Sequence, residues 1–160
     1  MATVNPTQER VEAFERGAPD DKPIVMLNLL KFRDAADYGP DGPAGVTGRK
    51  AYSTYSKGVV PLLWEVGGQV LWMGNVREGL IAPDGESWDE VLLVHYPSRR
   101  AFVRMVTSDA YAKIMPHRTA ALADSRLLET RAVALPGWVL GMARGLVRAK
   151  ALVLPSVGKR

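Results

Sequence analysis

The chain has 160 residues, 47% hydrophobic and 24% charged, the proportions of one ordinary globular domain and not of a disordered chain. It contains no cysteine, which excludes disulfides and thiolate metal sites. The net charge of +4 belongs to the C-terminus: residues 134–160 hold Arg144, Arg148, Lys150, Lys159 and Arg160 and no acid, and taking those five from the 21 basic residues leaves 16 against 17 acidic ones. A body so evenly charged gives little support to a nucleic-acid footprint, and no nucleic-acid partner is expected.

The N-terminus, MATVNPTQERVEAFER, is polar and has no apolar run behind a basic start, so the expected location is cytoplasmic. Residues 6–17 predict a short helix, with Pro6 suited to a first turn and Gly17 to a stop. Pro23 then opens IVMLNLLKF, an apolar run of strand length. Residues 34–48, DAADYGPDGPAGVTG, are rich in Gly, Pro and Asp and form a long loop of the kind used as a lid or binding loop. From Arg49 to Val66, Tyr52, Tyr55, Val59, Leu62, Leu63 and Val66 recur at helical spacing, with a kink expected at Pro61 and a stop at Gly67–Gly68.

Two strands follow, over 69–81 and 88–96, with Pro83-Asp84-Gly85 as the turn between them. Ser98 caps the next helix, which Thr107-Ser108-Asp109 interrupts. A second helical piece runs from Tyr111 to Ala123 with a break near Pro116, and a last strand spans Arg126 to Val133. The order β-α-β-β-α-β is that of a ferredoxin-like α+β domain, an antiparallel sheet with its helices on one face, occupying residues 1–133.

WDEVLLVHY and IVMLNLLKF are apolar on both sides, whereas a sheet with one wet face alternates cleanly. Helices cover one face; the other calls for a second sheet from another copy of the chain, or for this chain's own tail. That tail, residues 134–160, reads as a basic, apolar helix with Gly137, Gly141 and Gly145 four apart. It is too short and too charged to span a bilayer, so residues 137–154 are either an interfacial helix contacting a membrane surface or a helix laid on the domain or its partner.

Among single residues, His117 carries the side chain suited to passing protons near neutral pH, against the plainer reading of a surface or capping histidine. Arg118 can hold a carboxylate or an enolate oxygen, or pair with Asp124. Asn28, in the middle of an apolar strand, is either a polar anchor at the floor of a pocket or a satisfied structural amide. Tyr52, Tyr55, Trp64, Trp72 and Trp88 supply aromatic surface; most such residues are core, but Trp72 and Tyr55 are placed to line a cavity between sheet and helices. His95 and His117, twenty-two residues apart with no cysteine, make a poor metal set. With no G-x-S-x-G elbow, P-loop or dinucleotide fingerprint, no bound cofactor is expected.

PIVMLNLLKF, the tyrosine pair ahead of PLLWEVGGQVLWMG, and WDEVLLVHYPSRRAFVRMVTSDAYAKIMPHRTAALADSRLL resemble the domain-of-unknown-function family 1330, over residues 23–130. The resemblance implies a dimeric α/β barrel, in which two ferredoxin-like monomers pair sheet to sheet. It further implies a pocket drawing on Asn28, Tyr55, Trp72, His117 and Arg118. Related barrels include cofactor-independent monooxygenases, cyclases and isomerases as well as haem-dependent enzymes. The expectation is thus a homodimer binding an apolar, oxygen-bearing small molecule, with His117 moving a proton, Arg118 and Asn28 holding an oxyanion, and Tyr52, Tyr55 and Trp72 shaping the pocket. The alternative is a non-catalytic homodimer that binds a ligand or partner.

Overall fold

The computed structural model describes residues 3–17 and 22–133. The expected tail helix and its membrane contact, residues 134–160, lie outside the described residues. Eight elements follow in chain order: α1 (Gln8–Arg16), β1 (Ile24–Phe32), α2 (Gly48–Glu65), β2 (Gln69–Asn75), β3 (Glu90–Tyr96), α3 (Arg99–Val106), α4 (Asp109–Ala121) and β4 (Leu122–Thr130).

Each helix begins on a short hydroxyl side chain that accepts a main-chain N–H in the first turn. Thr7 accepts from Arg10, Thr47 from Lys50, Ser98 from Ala101 and Ser108 from Tyr111. Two caps in quick succession, Ser98 and Ser108, divide the second crossover into α3 and α4. Neither internal proline ends its helix: α2 runs through Pro61 and α4 through Pro116, where the sequence led us to expect a break. At the end of α2, Gly67 adopts a φ of +75°, a conformation an L side chain rarely takes.

The four strands form one antiparallel sheet in the order β2-β3-β1-β4. With α2 and the α3/α4 pair as crossovers, this is the ferredoxin-like fold. Two expected boundaries shift. β2 ends at Asn75, and the Pro83–Gly85 turn lies within a longer connection, marked by Glu86 N–H donating to Pro83 O at 3.0 Å. β4 starts earlier than expected, at Leu122, directly where α4 ends, with a register shift opposite Lys31/Phe32.

On the helix-covered face the core has two parts. One gathers Ile24, Met26, Leu63, Val94, Tyr96 and Met105; the other gathers Leu30, Ala51, Tyr52, Tyr55, Ala121 and Leu122. The strand registers put Val25, Leu27 and Leu29 of β1, Val91 and Leu93 of β3, Trp72 of β2 and Leu128 of β4 on the opposite face. No described element covers that face, and Trp72 and Leu128 are about half exposed, at 53% and 48%. Among the described residues, no helix is long and apolar enough to cross a membrane.

Candidate functional site

The last turn of α4 carries the two residues with most chemical potential, His117 and Arg118. Adjacent residues on a helix point about 100° apart, so the two side chains meet different surroundings. His117 is half-buried and faces the 33–47 loop, where its Nδ1 lies 2.8 Å from the hydroxyl of Tyr38. The rings meet edge to face, 5.6 Å between centroids. Burial pushes the Tyr38 hydroxyl upward from its ordinary value, so it keeps its proton at neutral pH.

The loop that brings Tyr38 here is tied at its roots. Arg33 N–H donates to Ala121 O at 2.9 Å, Asp37 N–H to Ala120 O at 2.9 Å, and Ala36 N–H to Val46 O at 2.8 Å. The bond from Asp37, next to Tyr38 in sequence, reaches the residue three beyond His117. These main-chain bonds also satisfy carbonyls at the end of α4 that would otherwise be orphaned.

Arg118 is buried, 8% exposed, and turns the other way. Its guanidinium donates to Val4 O at 2.7 Å, Asn5 Oδ1 at 3.3 Å and Ser125 Oγ at 3.2 Å. The N-terminal segment is thereby fastened to β4, and Ser125 N–H adds a bond to Thr3 O at 2.8 Å. Arg118 does not pair with Asp124, as one reading of the sequence had it; Asp124 instead accepts from Thr3 N–H and forms an ion pair with Arg126.

Tyr52 and Tyr55, one turn apart on α2, are buried in the second core cluster. Tyr52 packs edge-on against Phe32, and the Tyr55 hydroxyl lies 3.2 Å from that of Tyr111. Burial drives both of their hydroxyls far above the ordinary tyrosine value, so they act as neutral groups. Asn28 sits on the same sheet face, between Met26 and Leu30, and donates from Nδ2 to Met26 O at 3.2 Å. Trp72 departs from the expectation: its register partner is Leu93, so it lies on the uncovered face, folded over Gly74. The sheet itself separates Trp72 from Tyr55.

The structure therefore brings Tyr52, Tyr55 and Asn28 to one layer, His117 and Arg118 to one helical turn, and leaves Trp72 apart. A depression of about 230 Å³, lined by Val66, Pro97, Ser98, Arg100, Ala101 and Arg104, lies beside the start of α3 and includes none of the six candidates. Two residues went unremarked in the sequence. Tyr38 is one; the only aromatic side chain in a Gly/Pro/Asp-rich loop was the available signal. Glu90 is the other, a carboxyl whose burial raises its affinity for a proton despite Arg49 at 3.8 Å. Among the described residues, no cluster of His, Asp and Glu is arranged to hold a metal.

A family model described as a domain of unknown function, DUF1330, matches residues 44–130, more than half of the chain. The chain is a member of the DUF1330 family. This DUF1330 protein is 35% identical to a protein of unknown function from Rhodopseudomonas palustris, whose crystal structure matches with a TM-score of 0.77 over 84% of this chain and 100% of that one. The methylated form of that protein matches at 38% identity and a TM-score of 0.78, over 83% and 96% of the two chains. A hydroxynitrile lyase from Passiflora edulis matches at 8% identity and a TM-score of 0.50, covering 73% of this chain and 100% of its own, a likeness of fold alone. No curated protein matches the chain.

Proposed function

We propose that this DUF1330 protein is a homodimeric small-molecule enzyme that works without a bound cofactor, on an apolar compound bearing a reactive oxygen such as a phenol, enol or lactone. Proton-transfer or oxygenation chemistry is the class in view, with His117 as the residue that meets the ligand's oxygen. One observation carries this reading: Tyr38 anchors His117 at Nδ1, while Nε2 has no hydrogen-bond partner among the described residues. A ring held on one side and open on the other is the arrangement a working histidine needs. In this reading Tyr52 and Tyr55, neutral and buried in the cluster that Tyr38 also packs against, are the aromatic groups of the proposed site, and Asn28 is its amide. Arg118 contributes rigidity to that helical turn, since its guanidinium is engaged elsewhere.

The uncovered sheet face supports the dimer. Seven apolar side chains on four strands form a surface that a second copy matches by two-fold symmetry, each face presenting the same residues to the other. To test the enzymatic reading, a panel of phenols, enols and lactones is offered to the wild type and to His117→Ala, with circular dichroism confirming an unchanged fold. Turnover by the wild type and its loss in the variant support it. Equal turnover in both removes His117 from the chemistry; ligand binding without turnover of any panel member favours the non-catalytic homodimer.

A further inference from the structure

We propose that Tyr38 is a positioning residue whose hydroxyl donates to Nδ1 of His117, holding the ring in the neutral tautomer that presents Nε2–H to a ligand oxygen. This rests on the reading of His117 as the ligand-facing residue, and it assigns that residue a role: hydrogen-bond donor to a carbonyl, enolate or phenolate oxygen.

The 2.8 Å contact admits two arrangements, with the proton on the phenol or on the imidazole. Acid–base matching separates them. A phenol O–H is a far stronger donor than a neutral imidazole N–H, and an imidazole nitrogen is a far better acceptor than a phenol oxygen. A tyrosine hydroxyl is protonated at neutral pH, and burial shifts Tyr38 further in that direction, so it has a proton to donate. With Nδ1 occupied as acceptor, the ring's one proton resides on Nε2.

The loop is built to hold this geometry. Asp37 N–H binds Ala120 O on the helix that carries His117, and Gly42 N–H closes a turn on Gly39 O at 3.1 Å. Gly42 lies so close beneath Tyr38 that a Cβ there would stand 2.2 Å from Tyr38 Cβ. The turn therefore requires glycine at 42 to leave Tyr38 where it is. The same geometry reassigns the oxyanion-holding role that sequence reasoning gave to Arg118. Arg118 already donates to Val4, Asn5 and Ser125, whereas Nε2 of His117 has no partner among the described residues. A neutral imidazole N–H aimed at a developing negative oxygen stabilises it without a counter-charge to desolvate.

The test is nitrogen NMR of the full-length protein, which has two histidines to assign, with His95→Gln identifying the other signal. In the wild type, at a pH where the ring is uncharged, His117 is expected as a single tautomer protonated at Nε2. In Tyr38→Phe and in Gly42→Ala both tautomers are expected, with the fold unchanged by circular dichroism in Tyr38→Phe. A wild-type ring protonated at Nδ1, or a tautomer unmoved in Tyr38→Phe, overturns the role of Tyr38 and leaves the reading of His117 to its own assay. Titration with 4-nitrophenolate is expected to shift the Nε2–H signal, with binding weakened about fivefold in Tyr38→Phe, the scale of one hydrogen bond. No shift at His117 up to the probe's solubility limit refutes the oxygen-ligand assignment, whichever tautomer is found.

Discussion

Replacing Arg118 by methionine separates a structural role from a catalytic one. The guanidinium is buried and donates to three neutral acceptors, Val4 O, Asn5 Oδ1 and Ser125 Oγ. Hydrogen bonds to a charged donor contribute about 1.5–3 kcal/mol each when taken singly, and bonds sharing one guanidinium do not add. Two effects reduce the loss. Methionine returns the desolvation cost of a buried cation that has no carboxylate partner among the described residues, and it keeps most of the aliphatic stem. Water can also reach Asn5, which is exposed, whereas Ser125, 6% exposed, keeps its hydroxyl on Val4 O and Thr3 O and loses only the bond its oxygen accepted from the guanidinium. The balance is a destabilisation of about 2 kcal/mol, which for a chain of this size lowers Tm by roughly 4–8 °C. Urea unfolding followed by circular dichroism gives the energy, and hydrogen exchange at Ser125 N–H shows whether the N-terminal segment has come loose. Lysine restores the charge without the planar fork and should recover less than half of the loss. If Arg118→Met leaves stability within about 0.5 kcal/mol of wild type yet abolishes ligand binding, the residue belongs to the site and the structural argument is wrong.

Gly48→Ala should be severe, because a Cβ there would lie 2.3 Å from Arg33 O and 2.6 Å from Ala121 O, both main-chain atoms that cannot step aside; a loss of about 2 kcal/mol or more in denaturant unfolding is expected. Leu93→Asp places a carboxylate in the middle of the uncovered sheet face, and light scattering should report a monomer for it and a dimer for the wild type; a wild-type monomer at micromolar concentration refutes the proposed sheet-to-sheet pairing. Asp124 gives a pH signature. Although its burial opposes ionisation, Thr3 N–H, Arg126 and Ser125 N–H together hold its carboxyl below the ordinary value. A depressed acid stabilises the fold above its unfolded value of about 3.9, and that contribution disappears as the pH falls through the lower folded value. Stability of wild type and Asp124→Asn should therefore differ at pH 6 and converge on acidification below pH 4; a constant gap would show that the charge is irrelevant.

Much of the fold was legible because it is written in local terms. Serine and threonine caps, a glycine pair after α2 and apolar runs of strand length are short-range signals, and their order yields the ferredoxin-like topology directly. The two-sided apolarity of β1 and β3 was equally readable, and the structure shows the second face uncovered by any described element. The misjudged boundaries share a cause. Among the described residues β2 pairs with β3 alone, at the edge of the sheet, so apolar residues beyond Asn75, such as Leu80 and Ile81, find no described strand to continue beside and are almost fully exposed. β4 begins early because Leu122 and Ser125 are needed in the core beneath α2 and α4, a demand set by packing and not by propensity.

The site was harder to read because its decisive contacts span the chain. Arg118 reaches Val4, 114 positions away, and His117 reaches Tyr38, 79 positions away. Charge and titration chemistry marked both residues as interesting, but the sequence offers no means of telling which of two adjacent side chains is spent on holding the chain together. The helix decides it. A rotation of about 100° per residue sends Arg118 toward Val4 O, Asn5 Oδ1 and Ser125 Oγ, and sends His117 toward the Tyr38 hydroxyl. Trp72 shows the same principle in a strand. The register shift between Val70 and Trp72 sets it opposite Leu93 on the uncovered face. An aromatic residue placed there is on the wrong side of the sheet for a pocket beneath helices and on the right side for the proposed pairing of sheets, so Trp72→Ala should weaken association of two copies in light scattering and leave His117 and its tautomer untouched.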